Sequence, residues 1–313
     1  MRTFELSYPH TITLDELPET VTAIGFFDGI HMGHQQVILT AIDEAEKRGM
    51  ESAVISFHPH PSVVLKKGEQ HVQYITPIKE KIEILQNLGV DRFYIIEFNQ
   101  SLSKLSPQEF IDHFIIGLNI KHLVAGFDYT FGFKGSGNMD NIQEFTREKF
   151  TYTKISKVIM DDLKVSSTRI RERLKNGDME KVNQLLNRPY RLTGTVVKGS
   201  QRGREIGYPT ANLDINVEAL IPKPGIYAVK VLYKNEVYEG MASIGVNPTF
   251  TENRKDLSIE VNILDYNNDL YGEELVVEWY KYMRDEEKFS SAEALIKQIE
   301  KDEINIRNYF KGK

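Results

Sequence analysis

The sequence predicts an α/β domain followed by a β domain. The first is a Rossmann-like domain with a parallel sheet, and the second is an antiparallel Greek-key-type β-barrel with a long C-terminal helix. Apolar runs alternate with helix-like segments up to about residue 187, which is typical of a doubly wound parallel sheet. From Tyr190 onward, short apolar runs separated by turn residues are typical of a barrel. The 313 residues suffice for two domains, which we expect at 1–187 and 188–313.

The first domain is predicted from strand-like runs that each lead into a loop or a helix. A helix is expected over Gln35 to Arg48, another begins with Thr76 as N-cap and Pro77 at its first position, and a third begins at a Ser106/Glu109 capping box and runs to about Leu118. The predicted strands are Val21 to Phe27, Ser52 to Phe57, Val90 to Phe98, Lys121 to Gly126 and Phe150 to Val158.

Two short helices lead into the barrel, one from Ser166 to Gly177 and one from Asp178 to Asn187. A last helix is expected to begin at a Ser290/Glu293 capping box and to pack its apolar positions, Ile304 and Ile306 among them, against the barrel. The predicted barrel strands are Tyr190 to Lys198, Gly225 to Tyr233, Val237 to Ile244, Leu257 to Leu264 and Glu274 to Tyr282.

Composition excludes several classes of site and partner. The chain has no Cys, which excludes disulfides, thiolate catalysis and Cys-based zinc sites. Met1 to Glu5 lacks the apolar core of a signal peptide, and no apolar run approaches a membrane span, so we expect a cytoplasmic protein without a membrane partner. The net charge of −6 argues against nucleic acid as a partner, and we expect a monomer or a weak homo-oligomer.

The string from Gly25 to His34, Gly-Phe-Phe-Asp-Gly-Ile-His-Met-Gly-His, joins the first predicted strand to the first helix. Glycines let backbone approach a ligand closely, and a helix start offers free amide donors and a positive dipole end. Two histidines three residues apart can donate hydrogen bonds to phosphoryl oxygens. The string therefore predicts a phosphate site made of Gly25, Phe27, Asp28, Gly29, His31, Gly33 and His34.

Three other segments fall at strand ends or at a helix start, where ligands of doubly wound sheets bind. They are the loop from His58 to Pro61, the loop from Gly126 to Gly132, and the helix start from Ser166 to Arg171. Taken alone, each has an ordinary structural explanation: a rigid turn, a solvated loop with core aromatics, and a helix cap. The last nevertheless suits a triphosphate, because hydroxyls, free amides and a guanidinium come together at Ser166, Ser167, Thr168 and Arg171.

The barrel half contains a second string, Gly194 to Leu213, in which closely spaced glycines precede Pro209-Thr210-Ala211-Asn212. Its spacing differs from that of a P-loop and of a protein-kinase glycine loop. The glycines could form a flap over phosphates, and hydroxyl and amide oxygens suit a hard cation. The alternative is a Gly-rich connection between barrel strands with an ordinary Asn turn.

Both strings resemble known signatures. The first is similar to the signature of the adenylyltransferase domain of bacterial bifunctional riboflavin kinase/FAD synthetases, and the second resembles the ATP-binding segment of riboflavin kinase. The resemblance implies that the barrel phosphorylates the riboflavin 5′-hydroxyl with ATP to give FMN. It also implies that the N-terminal nucleotidyltransferase domain transfers an adenylyl group from ATP to FMN, giving FAD and pyrophosphate. The expected small-molecule partners are thus ATP, riboflavin and FMN.

The resemblance also implies residue roles. In the first domain His31 and His34 are catalytic and bind ATP phosphates, and the flavin contacts are His60, Pro61, Asp128, Tyr129 and Phe131. In the barrel, ATP is bound by Gly199, Arg204, Gly207, Pro209, Thr210 and Asn212, and Mg²⁺ by Thr210 and Asn212. Glu260 is the implied catalytic base, and the flavin contacts are Asn247, Thr249, Glu260 and Arg284.

One residue departs from the family pattern, because Asn262 stands where several relatives have a larger side chain. The lone Trp279 is expected in the core rather than against flavin.

Two alternatives remain open from the sequence. A nucleotidyltransferase for another phosphate acceptor, such as a pantetheine phosphate, would leave Gly194 to Leu213 unexplained. A catalytically inactive flavin- or nucleotide-binding regulator would be expected to have lost some of the implied catalytic residues. All of these are present: His31, His34, Thr210, Asn212 and Glu260.

Overall fold

The structure is a computed structural model that describes residues 1–65, 72–199, 203, 206–246 and 257–312. The chain forms two compact units, Met1–Ser167 and Thr168–Lys313. Within the described residues, no helix is long and apolar enough to cross a membrane.

The first unit is built on a parallel sheet, as predicted. Successive residues of one central strand, Phe93 and Tyr94, are both fully buried and belong to different hydrophobic clusters, so helices and loops cover both faces of the sheet. Its strands are β1 (Arg2–Leu6), β2 (Thr20–Ile24), β3 (Glu51–His58), β4 (Arg92–Glu97), β5 (Ile120–Gly126) and β8 (Thr151–Ile155). In the part of the chain that the structure describes, they have the order β1-β4-β3-β2-β5-β8.

Strand β1 was not predicted, because three of its five residues are exposed and its sequence lacks an apolar run. It pairs in parallel with β4, and the ring of Phe4 stacks on that of Tyr94 at 5.3 Å. Two short hairpins accompany the sheet, β6 (Thr130–Phe131) with β7 (Gly137–Asn138), and β9 (Ile159–Met160) with β10 (Leu163–Lys164).

The helices of this unit are α1 (Met32–Arg48), α2 (Pro61–Leu65), α3 (Ile78–Asn87) and α4 (Pro107–Phe110). The Ser106/Glu109 capping box at the start of α4 is confirmed. The helix does not continue as a regular α-helix to Leu118, since Ile111–Ile116 is π-helical. The predicted start of α3 was wrong by one residue. Pro77 occupies the N-cap position, and its carbonyl accepts the amide of Lys81 at 2.9 Å.

The second unit begins at Thr168, within α5 (Ser167–Asn176), and α6 (Met179–Leu186) follows; both helices are close to the predicted ones. The described strands that follow form the expected closed antiparallel barrel, in the order β11-β12-β15-β14-β13-β16. They are β11 (Tyr190–Val197), β12 (Ala211–Ile215), β13 (Gly225–Tyr233), β14 (Glu236–Val246), β15 (Leu257–Ile263) and β16 (Glu274–Arg284). Strand β12 was missed because its residues were interpreted only as part of a phosphate-binding string.

Helix α7 (Ala292–Lys311) follows the barrel, and two details of its prediction were wrong. Ser291, not Ser290, is the N-cap, since its hydroxyl accepts the amide of Ala294 at 3.2 Å. Ile306 is fully buried as expected, but Ile304 is 60% exposed because it lies on the outer side of the helix.

Trp279 is fully buried in the barrel, with the ring of Tyr227 edge-on at 4.9 Å.

Candidate active sites

The first candidate site is the sharp turn between β2 and α1. The amide of Gly25 donates to the carbonyl of Ile55 at 3.1 Å, and the chain then turns through Phe27, Gly29 and Ile30, whose φ angles are 51°, 89° and 38°. Glycine tolerates positive φ, but a β-branched residue such as Ile30 rarely adopts it. Strained backbone of this kind persists where its surroundings hold it, and it clusters at functional sites.

Side chains from other elements hold this turn in place. The carbonyl of Phe26 accepts hydrogen bonds from Ser56 Oγ and from Lys81 Nζ, both at 2.8 Å. The carboxylate of Asp28, 4% exposed, accepts the amide of Thr76 at 3.1 Å. The contact seen for Asp28, which was predicted to bind phosphate, therefore positions the turn. Phe27 is 3% exposed, and its ring packs in the core.

The two predicted histidines lie together at the start of α1. His31 is the N-cap, and its Nδ1 accepts the amide of His34 at 3.2 Å. The rings stack with 3.6 Å between their centres, and Gly33, in the first turn of α1, lies against the His31 ring. Because Nδ1 is an acceptor here, the neutral His31 ring carries its proton on Nε2. His31 can therefore cap the helix and donate from Nε2 at the same time.

The start of α5 is joined to this turn, because Ser167 Oγ donates to the carbonyl of Asp28 at 2.8 Å. Ser166 directly precedes α5, while Thr168 and Arg171 lie within its first turns. The structure thus connects Ser167 with a turn that lies more than a hundred residues earlier in the sequence.

The loop after β3 also reaches the turn. The ring of His60 stands edge-on to the ring of Phe26, with 4.5 Å between their centres. The His60 amide donates to Tyr74 Oη at 2.9 Å, and Pro61 is the first residue of α2. The predicted flavin contact His60 is therefore a direct neighbour of the phosphate string.

The loop from Gly126 to Gly132 divides into an exposed and a buried part. Asp128 is exposed and forms an ion pair with Lys164 of β10. The ring of Tyr129 stacks on that of Phe131, and burial raises the pKa of the Tyr129 hydroxyl, which stays protonated at neutral pH. Phe131 is only 4% exposed and stacks on Phe110, so it supports the loop from within the core.

The second candidate site lies where β12 pairs with β15. Asn212 is the register partner of Glu260, and Thr210 Oγ1 donates to Glu260 Oε2 at 3.0 Å. The implied metal ligands and the implied base are therefore adjacent. Ile259 and Val261 are buried, so Glu260 points to the opposite face of β15, as its alternation with them predicted.

Close packing explains one of the glycines of this string. A Cβ added to Gly199 would overlap the amide of Asn212, so only glycine allows this approach. Gly207 has a φ of 85° and lies two residues before Pro209. The predicted contacts Arg204, Asn247 and Thr249 lie outside the described residues.

Two supporting residues were missed by sequence reasoning. Asn262, 6% exposed, donates from Nδ2 to the carbonyl of Pro209 at 2.7 Å and so holds the Pro-Thr-Ala-Asn segment. Its spacing of two residues from Glu260 on one strand face was the available signal. Asp302 of α7 binds Arg284 Nη2 at 2.6 Å. No local sequence pattern indicates this ion pair, because Arg284 lies on β16 and Asp302 lies on α7.

The chemistry of the second site fits a magnesium ion. Thr210 gives its single hydroxyl proton to Glu260, which leaves the oxygen lone pairs available, and Asn212 adds an amide oxygen. No group of three His, Asp or Glu side chains that could hold a metal occurs among the described residues. Mg²⁺ characteristically takes one or two protein oxygens and completes its shell with water and substrate phosphates.

Comparisons with known proteins find a family match for each of the two parts of the chain that hold a candidate site. The FAD synthetase family model matches residues 14–169, and the riboflavin kinase model matches residues 186–310. A bifunctional riboflavin kinase/FMN adenylyltransferase from Listeria monocytogenes is 46% identical over 312 residues, which cover 99% of this chain and 98% of the relative. The chain belongs to the bifunctional riboflavin kinase/FMN adenylyltransferase family. The family expected from the two strings is thereby confirmed.

A second relative and a solved structure match the chain over the same length. The Bacillus subtilis bifunctional riboflavin kinase/FMN adenylyltransferase is 44% identical over 311 residues, covering 99% of this chain and 98% of the relative. The crystal structure of a protein described as a macrolide-efflux protein from Streptococcus pneumoniae is 33% identical, with a TM-score of 0.89. It covers 98% of this chain and 99% of that chain, so both units have counterparts in a solved structure.

Proposed function

We propose that this chain makes FAD in two steps, each in its own domain. The barrel phosphorylates riboflavin with ATP to give FMN and ADP, and the N-terminal domain joins FMN to the adenylyl group of a second ATP, releasing pyrophosphate. The observation that carries this assignment is the pair of family matches, residues 14–169 and 186–310, each containing one of the two assembled sites. A nucleotidyltransferase for another phosphate acceptor would not account for the riboflavin kinase match over residues 186–310.

In the kinase step, Glu260 removes the proton of the riboflavin 5′-hydroxyl as its oxygen attacks the γ-phosphorus of ATP. The Thr210 hydroxyl, at 3.0 Å, fixes the orientation of that carboxylate. Thr210 and Asn212 would hold Mg²⁺, which neutralises phosphate charge when bound. Arg284 is assigned to the product phosphate, and Arg204, Asn247 and Thr249 remain assignments from the family pattern.

In the adenylyl transfer, a phosphate oxygen of FMN attacks the α-phosphorus of ATP and pyrophosphate leaves, so no protein nucleophile is needed. His31 donates from Nε2 to a phosphate oxygen while Nδ1 caps α1, and His34 lies stacked beside it. Ser166 and Ser167 add hydroxyl and amide donors, and Thr168 and Arg171 remain assignments from the family pattern. His60, Pro61, Asp128 and Tyr129 are assigned to the flavin, with Phe131 supporting their loop.

The functional domains are assigned to residues 1–187 and 188–313. The metal is assigned as Mg²⁺, and the oligomeric state as a monomer or a weak homo-oligomer. The metal assignment follows from the oxygen donors of Thr210 and Asn212.

The test supplies riboflavin, ATP and Mg²⁺ and separates the flavins by chromatography, with FMN and then FAD expected. His31→Asn keeps a good helix cap while removing the imidazole donor, so FAD formation should fall roughly a hundredfold while FMN accumulates. Glu260→Gln should abolish FMN formation yet leave added FMN convertible to FAD. Loss of both activities in each variant, with folding intact, would contradict the two-site assignment.

A further inference from the structure

Lys81 of α3 is a buried cation that contacts the turn of the first candidate site. Its side chain is 3% exposed, and Nζ donates to the carbonyl of Phe26 at 2.8 Å and to Ser56 Oγ at 3.1 Å. The ammonium also lies 5.1 Å from the centre of the Phe26 ring. Both hydrogen-bond acceptors are neutral, so neither balances the charge of the lysine.

A buried lysine without a paired anion lowers the free energy of unfolding. Lysine is almost never fully buried unless it is paired with an anion, and burial favours its neutral form. Asp28 is the carboxylate whose charge acts on Lys81, and it is itself engaged with the Thr76 amide. Burial lowers the pKa of Lys81 to about 8, with Asp28 opposing the shift. The carbonyl of Phe26 also accepts a hydrogen bond from Ser56 Oγ at 2.8 Å, so the charge of Lys81 itself calls for an explanation.

We propose that Lys81 is a positioning residue for adenylyl transfer, which holds the Phe26 to Asp28 turn and places a positive charge behind the phosphates of ATP. The proposal rests on the proposed function, which assigns the triphosphate to this turn. Lys81 acts through the Phe26 carbonyl and does not touch the substrate. Its charge attracts the triphosphate, and by linkage bound ATP favours the charged form of Lys81.

This role makes ATP binding dependent on pH on the alkaline side. Below about pH 8 the ammonium is charged and supports ATP binding, and above that pH the support is lost as the proton leaves. The charged and titratable groups around it are Asp28, from the turn, and His60, whose ring lies against Phe26. Their contributions persist in a variant that lacks Lys81, so the difference between the variants isolates the lysine.

The experiment compares the parent enzyme with Lys81→Met, which removes the charge but keeps the side-chain length. Lys79→Met, at an exposed position of the same helix, is the matched control. KM for ATP and kcat are measured in FMN adenylylation from about pH 7 to about pH 9.5 at fixed free Mg²⁺. Riboflavin phosphorylation by the same preparations controls for the amount of enzyme, and the midpoint of thermal unfolding controls for folding of the first unit.

We expect Lys81→Met to raise KM for ATP about tenfold at pH 7, with kcat within about threefold of the parent. The parent KM should rise above about pH 8, whereas that of Lys81→Met should stay flat, and Lys79→Met should follow the parent.

Two outcomes would overturn the proposal. One is a Lys81→Met enzyme with the parent's KM and pH profile. The other is a loss of kcat together with thermal stability while the pH profile is unchanged, because that pattern belongs to a merely structural residue. If His31→Asn lowers adenylylation about a hundredfold in parallel, the proposed site stands and Lys81 alone has failed. If His31→Asn behaves like the parent, the site assignment is wrong and the Lys81 proposal falls with it.

Discussion

The buried ion pair between Arg284 and Asp302 offers a prediction about the barrel unit. Asp302 of α7 accepts Arg284 Nη2 at 2.6 Å and Nε at 3.0 Å, and Gln298 donates to its other oxygen at 2.9 Å. The Asp302 side chain is 4% exposed and that of Arg284 is 17% exposed. The perturbation is Asp302→Asn, which keeps the shape of the side chain and removes its charge.

The expected loss of unfolding free energy follows from the Arg284 charge that the substitution leaves without its carboxylate partner. Removing one partner of a buried pair costs about 3–5 kcal/mol, because the remaining charge is stranded. Asparagine still accepts one hydrogen bond and Arg284 is partly exposed, so we expect about 2–4 kcal/mol. In a unit of about 150 residues, each kcal/mol lowers the midpoint of thermal unfolding by about 2–4 °C, so the midpoint should fall by about 5–15 °C.

The assay uses the chain's single tryptophan. Trp279 is fully buried in β16, so its fluorescence reports the unfolding of the barrel unit. Glu300→Gln, which neutralises an exposed carboxylate on the same helix, is the matched control and should leave the midpoint unchanged. A second variant, Arg284→Met with Asp302→Leu, should recover most of the lost stability, because replacing both halves of a buried pair is often neutral.

A fall of less than about 2 °C for Asp302→Asn would refute the reasoning, since it would mean that the stranded guanidinium costs almost nothing. Failure of the double replacement to recover stability would show instead that the packing, and not the charge balance, is what α7 contributes.

Three further predictions concern other parts of the chain. Gly199→Ala should lower riboflavin phosphorylation about tenfold or more while adenylylation persists, because the new Cβ overlaps the Asn212 amide. Ser167→Ala should raise KM for ATP in adenylylation several-fold by deleting the hydrogen bond to the Asp28 carbonyl, worth about 1 kcal/mol. Burial lowers the pKa of His122, so unfolding takes up a proton below about pH 6.5 and the stability of the first unit falls as pH drops through that value. Thermal inactivation of adenylylation, measured on both sides of that pH, should show this loss, and His122→Gln should reduce it.

The sequence predicted well the features whose signals are local. The bounds of β13 agree with the structure, and the turn after it, Lys234 and Asn235, has the positive φ angles of 47° and 67° that a tight hairpin needs. The two histidines and the three residues Thr210, Asn212 and Glu260 could be grouped because their spacing and family pattern placed them on known elements. The structure adds that each group is in direct contact.

The features that the sequence did not predict depend on tertiary contacts, and a short stretch of sequence does not contain these. Whether Ser290 or Ser291 caps α7 is decided by where the chain leaves the barrel, since either residue is a good cap. Thr76 lies one residue before the N-cap of α3, and its amide donates to Asp28, forty-eight residues earlier, a contact that no local pattern predicts. The sequence around Lys81 gives no sign that this residue is buried, and only the fold shows it.

The order of strands has a consequence for self-association. Each described barrel strand has a neighbour on both sides, whereas the parallel sheet ends at β1 and β8, which have one neighbour each. Such open edges can recruit strands from other molecules while the protein folds, and charged edge residues discourage this. Arg2 and Glu5 of β1 and Lys154 of β8 are exposed at these edges. Neutralising them should therefore make the first unit aggregate during refolding and leave recovery of the barrel unaffected.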